Sequence, residues 1–366
     1  MKILILNWRD PTHPLSGGAE VMLLEHAKYW VKKKNNVVWF SASYKQAKPE
    51  EDYEGIKIIR RGSHFTVKFW AAVLYLSNYF ENIDIVLDCF HFHPFFTPLY
   101  SKKPRVALIH EVAGKIWFYN IAFPIALVGY LTEPFTFLFY KNTPFITVSK
   151  STNKELKKIG IKKTYIIENG VRVALVKKDI MKEENPTIIF LGRLSKDKGV
   201  EDAIHAVSKA QQIFKNIQFW LVGKPENVNY LKQIKTKIKE KKLAKNTKFF
   251  GYVSEKEKAQ LLKRSWVLIH PSKKEGWGLT VIEAATQETP TIGYNVEGLK
   301  DSIKHRETGI LVDPNSEHLG EALIELLKNK KMLSTLGKNA KKFSKKFSWD
   351  SGTKKSLGVI KKYAEK

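Results

Sequence analysis

The chain has 366 residues, too many for one ordinary hydrophobic core, so two α/β domains of roughly 150 to 180 residues are the natural expectation. With 43% hydrophobic and 12% aromatic residues it is not a disordered chain, and a single cysteine, Cys89, excludes an intramolecular disulfide framework and fits a reducing compartment. A net charge of +27, from 63 Lys plus Arg against 36 Asp plus Glu, calls for an anionic partner: nucleic acid, an acidic membrane surface or a phosphate-bearing substrate.

In chain order, Met1 to Asn7 reads as a short apolar strand with no signal-peptide cleavage pattern, which leads to the expectation of a cytoplasmic protein. The strand runs into Gly17-Gly18 and a helix from Ala19 to about Lys33. Further strands are predicted over Asn36 to Ser41, Ile83 to Leu87, Arg105 to Ile109 and Phe145 to Val148. Ile116 to Thr132 contains 17 uncharged residues, but Pro124 interrupts them and a bilayer span needs about 20. A surface-lying or core helix is therefore expected there. Residues 172–186 are polar and rich in Lys and Glu, and this composition places there the linker between a first domain, 1–171, and a second, 187–348.

The second domain repeats the opening pattern: strand Thr187 to Leu191, then Gly192-Arg193, then a helix from Gly199 to about Phe214. Strands over Gln218 to Val222, Thr247 to Phe250, Trp266 to His270 and Thr291 to Gly293 follow. Short buried strands alternating with helices predict two mostly parallel, doubly wound sheets, whose ligands collect at the carboxyl ends of the strands. Lys232 to Lys248, with eight Lys and one Glu, reads as a solvated helix face.

The most informative stretch is His270-Pro-Ser-Lys-Lys-Glu-Gly-Trp-Gly-Leu-Thr-Val-Ile-Glu283, which leaves a strand and enters a helix. The backbone N–H groups of Gly276, Trp277, Gly278, Leu279 and Thr280 are then placed to bind phosphate oxygens at a helix start. Glu275 and Glu283 can both face such a ligand, one accepting from sugar hydroxyls and the other from ribose hydroxyls.

This paired-glutamate segment resembles the signature of the retaining family 4 glycosyltransferases of GT-B fold, and other matching pieces fall in order over nearly the whole chain. The resemblance implies two Rossmann-like domains facing across a cleft, with the helix after Phe347-Ser348-Trp349-Asp350, residues 349–366, crossing back to the first domain. It implies that Gly17 and Gly18 approach the donor diphosphate and the acceptor. Arg193 and Lys198 would contact the diphosphate, Glu275 would orient the sugar, Glu283 the ribose, and His110 would sit beside the transferred sugar. Gly251, Tyr252 and Val253 would hold the nucleotide base, and Ser149, Asn169-Gly170-Val171 and Glu297-Gly298-Leu299 match further loop positions. Two departures concern substrate detail: Glu288-Thr289-Pro290 where the family often has Gly before Pro, and Arg172 where Asp commonly follows Asn-Gly-Val.

The expected activity is transfer of a sugar, with retention, from a UDP- or GDP-linked donor, with no cofactor and no metal. Asp88, His91 and His93 alternate on an extended segment near His110, but packing and hydrogen bonding explain them better than a metal, and no Asp-x-Asp signature stands at a strand end. The aromatic stretch Lys115 to Tyr140, flanked by Lys102, Lys103, Arg105 and Lys141, suits an anionic membrane surface or the core of the first domain. The acceptor is accordingly expected to be lipid-linked or a glycan at a membrane surface. A soluble sugar acceptor is one alternative, and a basic nucleic-acid-binding protein is another, although no nucleic-acid-binding motif accompanies the charge. A Rossmann oxidoreductase is disfavoured because Gly17-Gly18 lacks the G-x-G-x-x-G series.

Overall fold

The computed structural model describes residues 1–171 and 180–365; of the predicted linker, 172–179 lie outside the described residues, as does the departure at Arg172. The chain forms two compact units, Met1–Gly170 with Ser348–Lys366, and Val171–Phe347.

The first unit holds an eight-stranded sheet: β1 Lys2–Leu6, β2 Asn36–Ser41, β3 Glu50–Tyr53, β4 Ile56–Arg60, β5 Ile85–Phe90, β6 Arg105–Ile109, β7 Phe145–Thr147 and β8 Thr164–Ile166. Its order is β3-β4-β2-β1-β5-β6-β7-β8, and every pair is parallel except β3 with β4. Ile3, Leu4, Ile5 and Leu6 are all fully buried, because helices cover both faces and no alternation is required. The winding reverses between β1 and β5, so the loops after these two strands meet at the switch point of the sheet.

The helix Gly18–Lys32 starts where the Glu20 carboxylate accepts from the Gly17 amide at 2.8 Å. It buries Met22, Leu23, His26, Ala27 and Trp30, a stripe at helical spacing. The C-terminal helix Trp349–Ala364, capped by Ser348, belongs to this unit and packs on that stripe, with Trp30 Nε1 donating to Ser356 Oγ at 3.1 Å.

The second unit carries β9 Thr187–Leu191, β10 Gln218–Val222, β11 Thr247–Gly251, β12 Val267–His270, β13 Thr291–Tyr294 and β14 Gly309–Val312, in the order β11-β10-β9-β12-β13-β14. All neighbours are parallel, and the winding reverses between β9 and β12. Its core joins Ile188, Phe190 and Ile269 of the sheet to Ile204 and Val207 of the helix Val200–Gln211 and Leu323 of the helix Ser316–Lys328.

The two parallel α/β sheets and the terminal helix agree with the predicted fold class. Several elements escaped prediction, among them the β3–β4 hairpin, strand β14 and the helices Val67–Leu76, Lys150–Lys158 and Ser316–Lys328. The hairpin turns at Glu54 and Gly55, both with positive φ (54° and 77°), as a tight hairpin turn requires. Strand β5 lies later than the predicted Ile83 to Leu87, because it extends through Cys89 and Phe90, which are buried beside β6.

Candidate active site

At the switch point of the second unit, the loop after β9 carries Arg193 and Lys198, and the loop after β12 carries Glu275. Lys198 Nζ donates to Glu275 Oε1 at 2.6 Å. The same oxygen accepts from Ser272 Oγ at 2.7 Å and lies 3.1 Å from His270 Nε2. Burial alone would raise the Glu275 pKa, but the Lys198 charge and the His270 contact outweigh it and hold the carboxyl well below the usual carboxylate range. Arg193 reaches Ser195 Oγ and Asp197 Oδ2, both at 3.3 Å, and is 42% exposed, so its guanidinium remains open to a ligand. Ser195 fixes Asp197 from the other side, donating to Oδ1 at 2.5 Å.

Two glycines make this convergence possible. Gly199 has φ of 71°, and a Cβ there would lie 2.1 Å from the Pro271 carbonyl oxygen, so only glycine lets the two loops touch. Gly298 has φ of 79°, and its Cβ would lie 2.0 Å from the Glu275 carbonyl oxygen. The predicted Glu297-Gly298-Leu299 loop therefore supports the backbone of Glu275.

Beyond Glu275 the chain passes through buried Gly276, Trp277 and Gly278 into the helix Leu279–Thr286. The Trp277 ring packs on Phe347 at 5.0 Å, while its buried Nε1 has no hydrogen-bond partner among the described residues. Glu283 accepts from Lys258 at 2.7 Å on the neighbouring helix Glu255–Arg264; burial raises its pKa against the opposing pull of Lys258. At the end of β11, Gly251 has φ of 66°, Tyr252 is 76% exposed, and Lys224 Nζ lies 4.9 Å over the Tyr252 ring. The half-buried Val253 packs against the core formed by Leu191, Trp220 and Leu262. The half-exposed cations and the helix start can receive an anionic ligand, with the Glu275 carboxylate as an acceptor beside it.

The other predicted residues lie in the first unit. Gly17 and Gly18 are exposed at a helix start, and the Gly17 amide is already engaged by Glu20. His110 follows β6 directly, and burial with the nearby Arg9 charge pushes its pKa down to about 4, leaving a neutral ring. Ser149 is a buried helix cap, accepting from the Thr152 amide at 3.1 Å, and Thr152 Oγ1 in turn donates to the His110 carbonyl at 2.9 Å. Asn169 is buried, and Gly170 lies against Trp349, where a Cβ would come within 2.4 Å of the Trp349 nitrogen. Asp88 is sequestered, accepting from the Phe95 and Thr97 amides, Thr97 Oγ1 and Tyr140 Oη.

Sequence reasoning missed His270, Ser272 and Asp197 as partners of Glu275 and Arg193, and missed Asp202, which binds Lys273 and accepts from Tyr294 Oη at 2.6 Å. Only His270 and Ser272 left a trace, as polar residues at a strand end five and three positions before Glu275.

Residues 174–343 match the family profile described as "Glycosyl transferases group 1", and residues 16–175 match that of "Glycosyltransferase Family 4". A glycosyltransferase of Methanocaldococcus jannaschii is 25% identical over 99% of this chain and 98% of its own length. Another from the same organism is 30% identical over 60% of this chain, and the match spans 59% of that protein. Among solved structures, Anabaena HepE in complex with UDP and glucose superposes with a TM-score of 0.77 at 17% identity, over 99% of this chain and 100% of that one. The chain belongs to the family 4 glycosyltransferases, enzymes of GT-B fold that transfer a sugar from a nucleotide sugar.

Proposed function

We propose that the second unit binds the donor diphosphate at the β9/β12 switch point and that transfer retains the anomeric configuration without a metal ion. The observation that carries this reading is the Lys198–Glu275 pair, 2.6 Å apart and anchored by His270 and Ser272 beside a helix start. Arg193, Lys198 and the amides of Gly276 to Thr280 neutralise the charge that collects on the departing diphosphate. Glu275 accepts from a sugar hydroxyl, Glu283 from the ribose, and the loop at Gly251, Tyr252 and Val253 takes the base. His110, in the first unit, is neutral at physiological pH and can offer a hydrogen bond rather than a charge. As the bond from the anomeric carbon to the phosphate oxygen breaks, the acceptor oxygen bonds to that carbon on the same face, and its proton passes to the leaving phosphate.

The first unit is assigned to the acceptor, a lipid-linked or membrane-surface glycan. Its support is an exposed apolar face on the helix Ile125–Thr136 and its flanks, including Phe123, Val128, Leu131, Phe135 and Phe139, with Lys115 and Lys141 at the ends. Inside, Glu133 accepts from the Ala113 and Gly114 amides and from Trp117 Nε1, at 2.7, 2.8 and 3.1 Å, so this helix is fixed from below while its outer face stays apolar. Among the described residues no helix is long and apolar enough to cross a membrane, so the contact would be peripheral.

HepE is described with UDP and glucose, which makes UDP-glucose the first donor to test in a thermal-shift panel of nucleotide sugars. A stabilising donor should be transferred by the wild type, and Lys198→Ala should lower turnover about 10²–10³-fold. Normal turnover in that variant would remove the diphosphate site from this loop.

A further inference from the structure

The switch point of the first unit, where the loops after β1 and β5 meet, holds a group of side chains that the donor site does not use. The Trp8 ring lies 5.5 Å from His13, 4.5 Å from His64 and 5.2 Å from His91, with the Arg9 guanidinium 4.4 Å from it on one face. Phe92, with φ of 61°, turns the chain so that His91 and His93 pair as an isolated bridge. Lys68, on the helix Val67–Leu76, is near enough to His64 and His93 for its charge to act on both.

We propose that Trp8, His13, His64, Lys68, His91 and His93 form a receptor for a phosphate group carried by the acceptor. This deepens the acceptor half of the function proposed above and rests on that reading. Three features support a ligand rather than a structural cluster. Five potential cations converge, yet among the described residues Lys68 forms an ion pair with no carboxylate; Asp88, the acid whose charge it feels, is already engaged by Phe95, Thr97 and Tyr140. Among the described residues the buried Trp8 Nε1, which can only donate, has no acceptor, and the buried His93 Nδ1 has no partner. Burial depresses the pKa of all four of His13, His64, His93 and Lys68, the last to about 8 against the pull of Asp88, and neighbouring cations add to the depression of the three histidines. A phosphate offers both the charge and the acceptor oxygens.

The phosphate has two sources, a soluble phosphate ester or a lipid headgroup. The second is reached along the same surface: His93 stands 6.4 Å from Phe96, and Phe96 stands 6.3 Å from Phe139 at the end of the apolar face.

The test uses the full chain labelled with 5-fluorotryptophan, the Trp8 resonance being identified from the Trp8→Phe spectrum. Methyl phosphate, titrated against chloride at constant ionic strength, should shift that resonance saturably. Lys68→Ala should weaken the apparent affinity about tenfold or more, as loss of one charge-assisted contact implies. His64→Asn should weaken it as well, and neither variant should alter the thermal shift given by UDP-glucose. In a second arm, phosphatidylcholine vesicles with and without phosphatidic acid are floated with wild type and Lys68→Ala; recruitment that needs both phosphatidic acid and Lys68 identifies a lipid source, whereas a response to methyl phosphate alone identifies a soluble one. A Trp8 signal indifferent to methyl phosphate together with vesicle binding indifferent to Lys68 would overturn the proposal. Failure of every nucleotide sugar to stabilise the wild type would instead sink the donor reading and leave the Trp8 titration standing.

Discussion

The two units solve the same topological problem with opposite electrostatics. Each reverses its winding beside its first strand, between β1 and β5 in one and between β9 and β12 in the other, and each brings two loops together there. In the second unit the loop charges are paired in advance: Lys198 with Glu275, Arg193 with Asp197, Lys273 with Asp202. In the first unit rings and cations gather round Trp8, and the firm ion pairs, Arg60 with Asp10 at 2.7 Å and Arg9 with Glu20 at 3.2 Å, brace the loop from behind. A preassembled ion-paired site suits a ligand that arrives at each turnover with the same charged group, since little reorganisation is then required. A cationic aromatic pocket with unsatisfied donors suits a ligand that supplies the missing charge.

Breaking the paired site should have the largest effect. Glu275→Gln keeps the shape but drops the charge that balances Lys198, and turnover with the accepted nucleotide sugar should fall about 10²–10³-fold. Its thermal stability should fall by only about 1–3 kcal/mol, the cost of an ill-satisfied polar contact. Steady-state kinetics beside a melting curve separate the two, and a proportionate loss of both would make Glu275 a structural residue.

Gly298→Ala tests the scaffold of the same site. Its Cβ would meet the Glu275 carbonyl at 2.0 Å in a left-handed backbone. The strained conformation alone costs about 1–3 kcal/mol. Donor affinity should drop with it, whereas Gly160→Ala in the first unit, with φ of 96° and nothing within 4 Å of its Cβ among the described residues, should cost only the backbone strain. Equal donor affinity in both variants would contradict the support assigned to Gly298.

The first unit should be the acid-labile one. Burial pushes the pKa of His26 down to about 3 and those of His93 and His110 to about 4, from an ordinary 6.5. The unfolded chain therefore binds protons below pH 6.5 that the folded chain refuses until about pH 3 to 4, so stability is lost as pH falls through that window. His26→Phe should flatten the slope of melting temperature against pH, and added phosphate should flatten it further if it raises the pKa of His93. An unchanged slope in His26→Phe would show that other groups drive the acid loss.

The smallest effect should come from the lysine-rich helix Val228–Glu240. Lys232→Gln and Lys239→Gln, at exposed positions, should change stability by less than about 0.5 kcal/mol and leave turnover intact. A marked loss of activity would revive a role for this charge in binding a polyanion.

Much of the fold was legible because its strands are continuous apolar runs such as Ile3 to Leu6 and Thr187 to Leu191, and because glycines punctuate the strand-to-helix turns. Strand β3, Glu50-Glu51-Asp52-Tyr53, was not: an edge strand with polar side chains on both faces has no apolar period to read. At the second switch point, Glu275, Arg193 and Lys198 were legible from their motifs, and the structure brings all three to adjacent loops. The partners that set their charge were not, because Asp197 and Ser272 act through contacts that only the crossing of two loops creates. The cluster round Trp8 was invisible for the same reason: Trp8, His64 and His91 are separated by more than fifty and then more than twenty residues, and nothing local marks them as neighbours.

The most direct measurement is a crystal structure of the full chain with the nucleoside diphosphate that stabilises it most. The pyrophosphate should lie within hydrogen-bond distance of Arg193, Lys198 and the amides between Gly276 and Thr280. Clear density for it elsewhere, with the Lys198–Glu275 pair left untouched, would contradict the account.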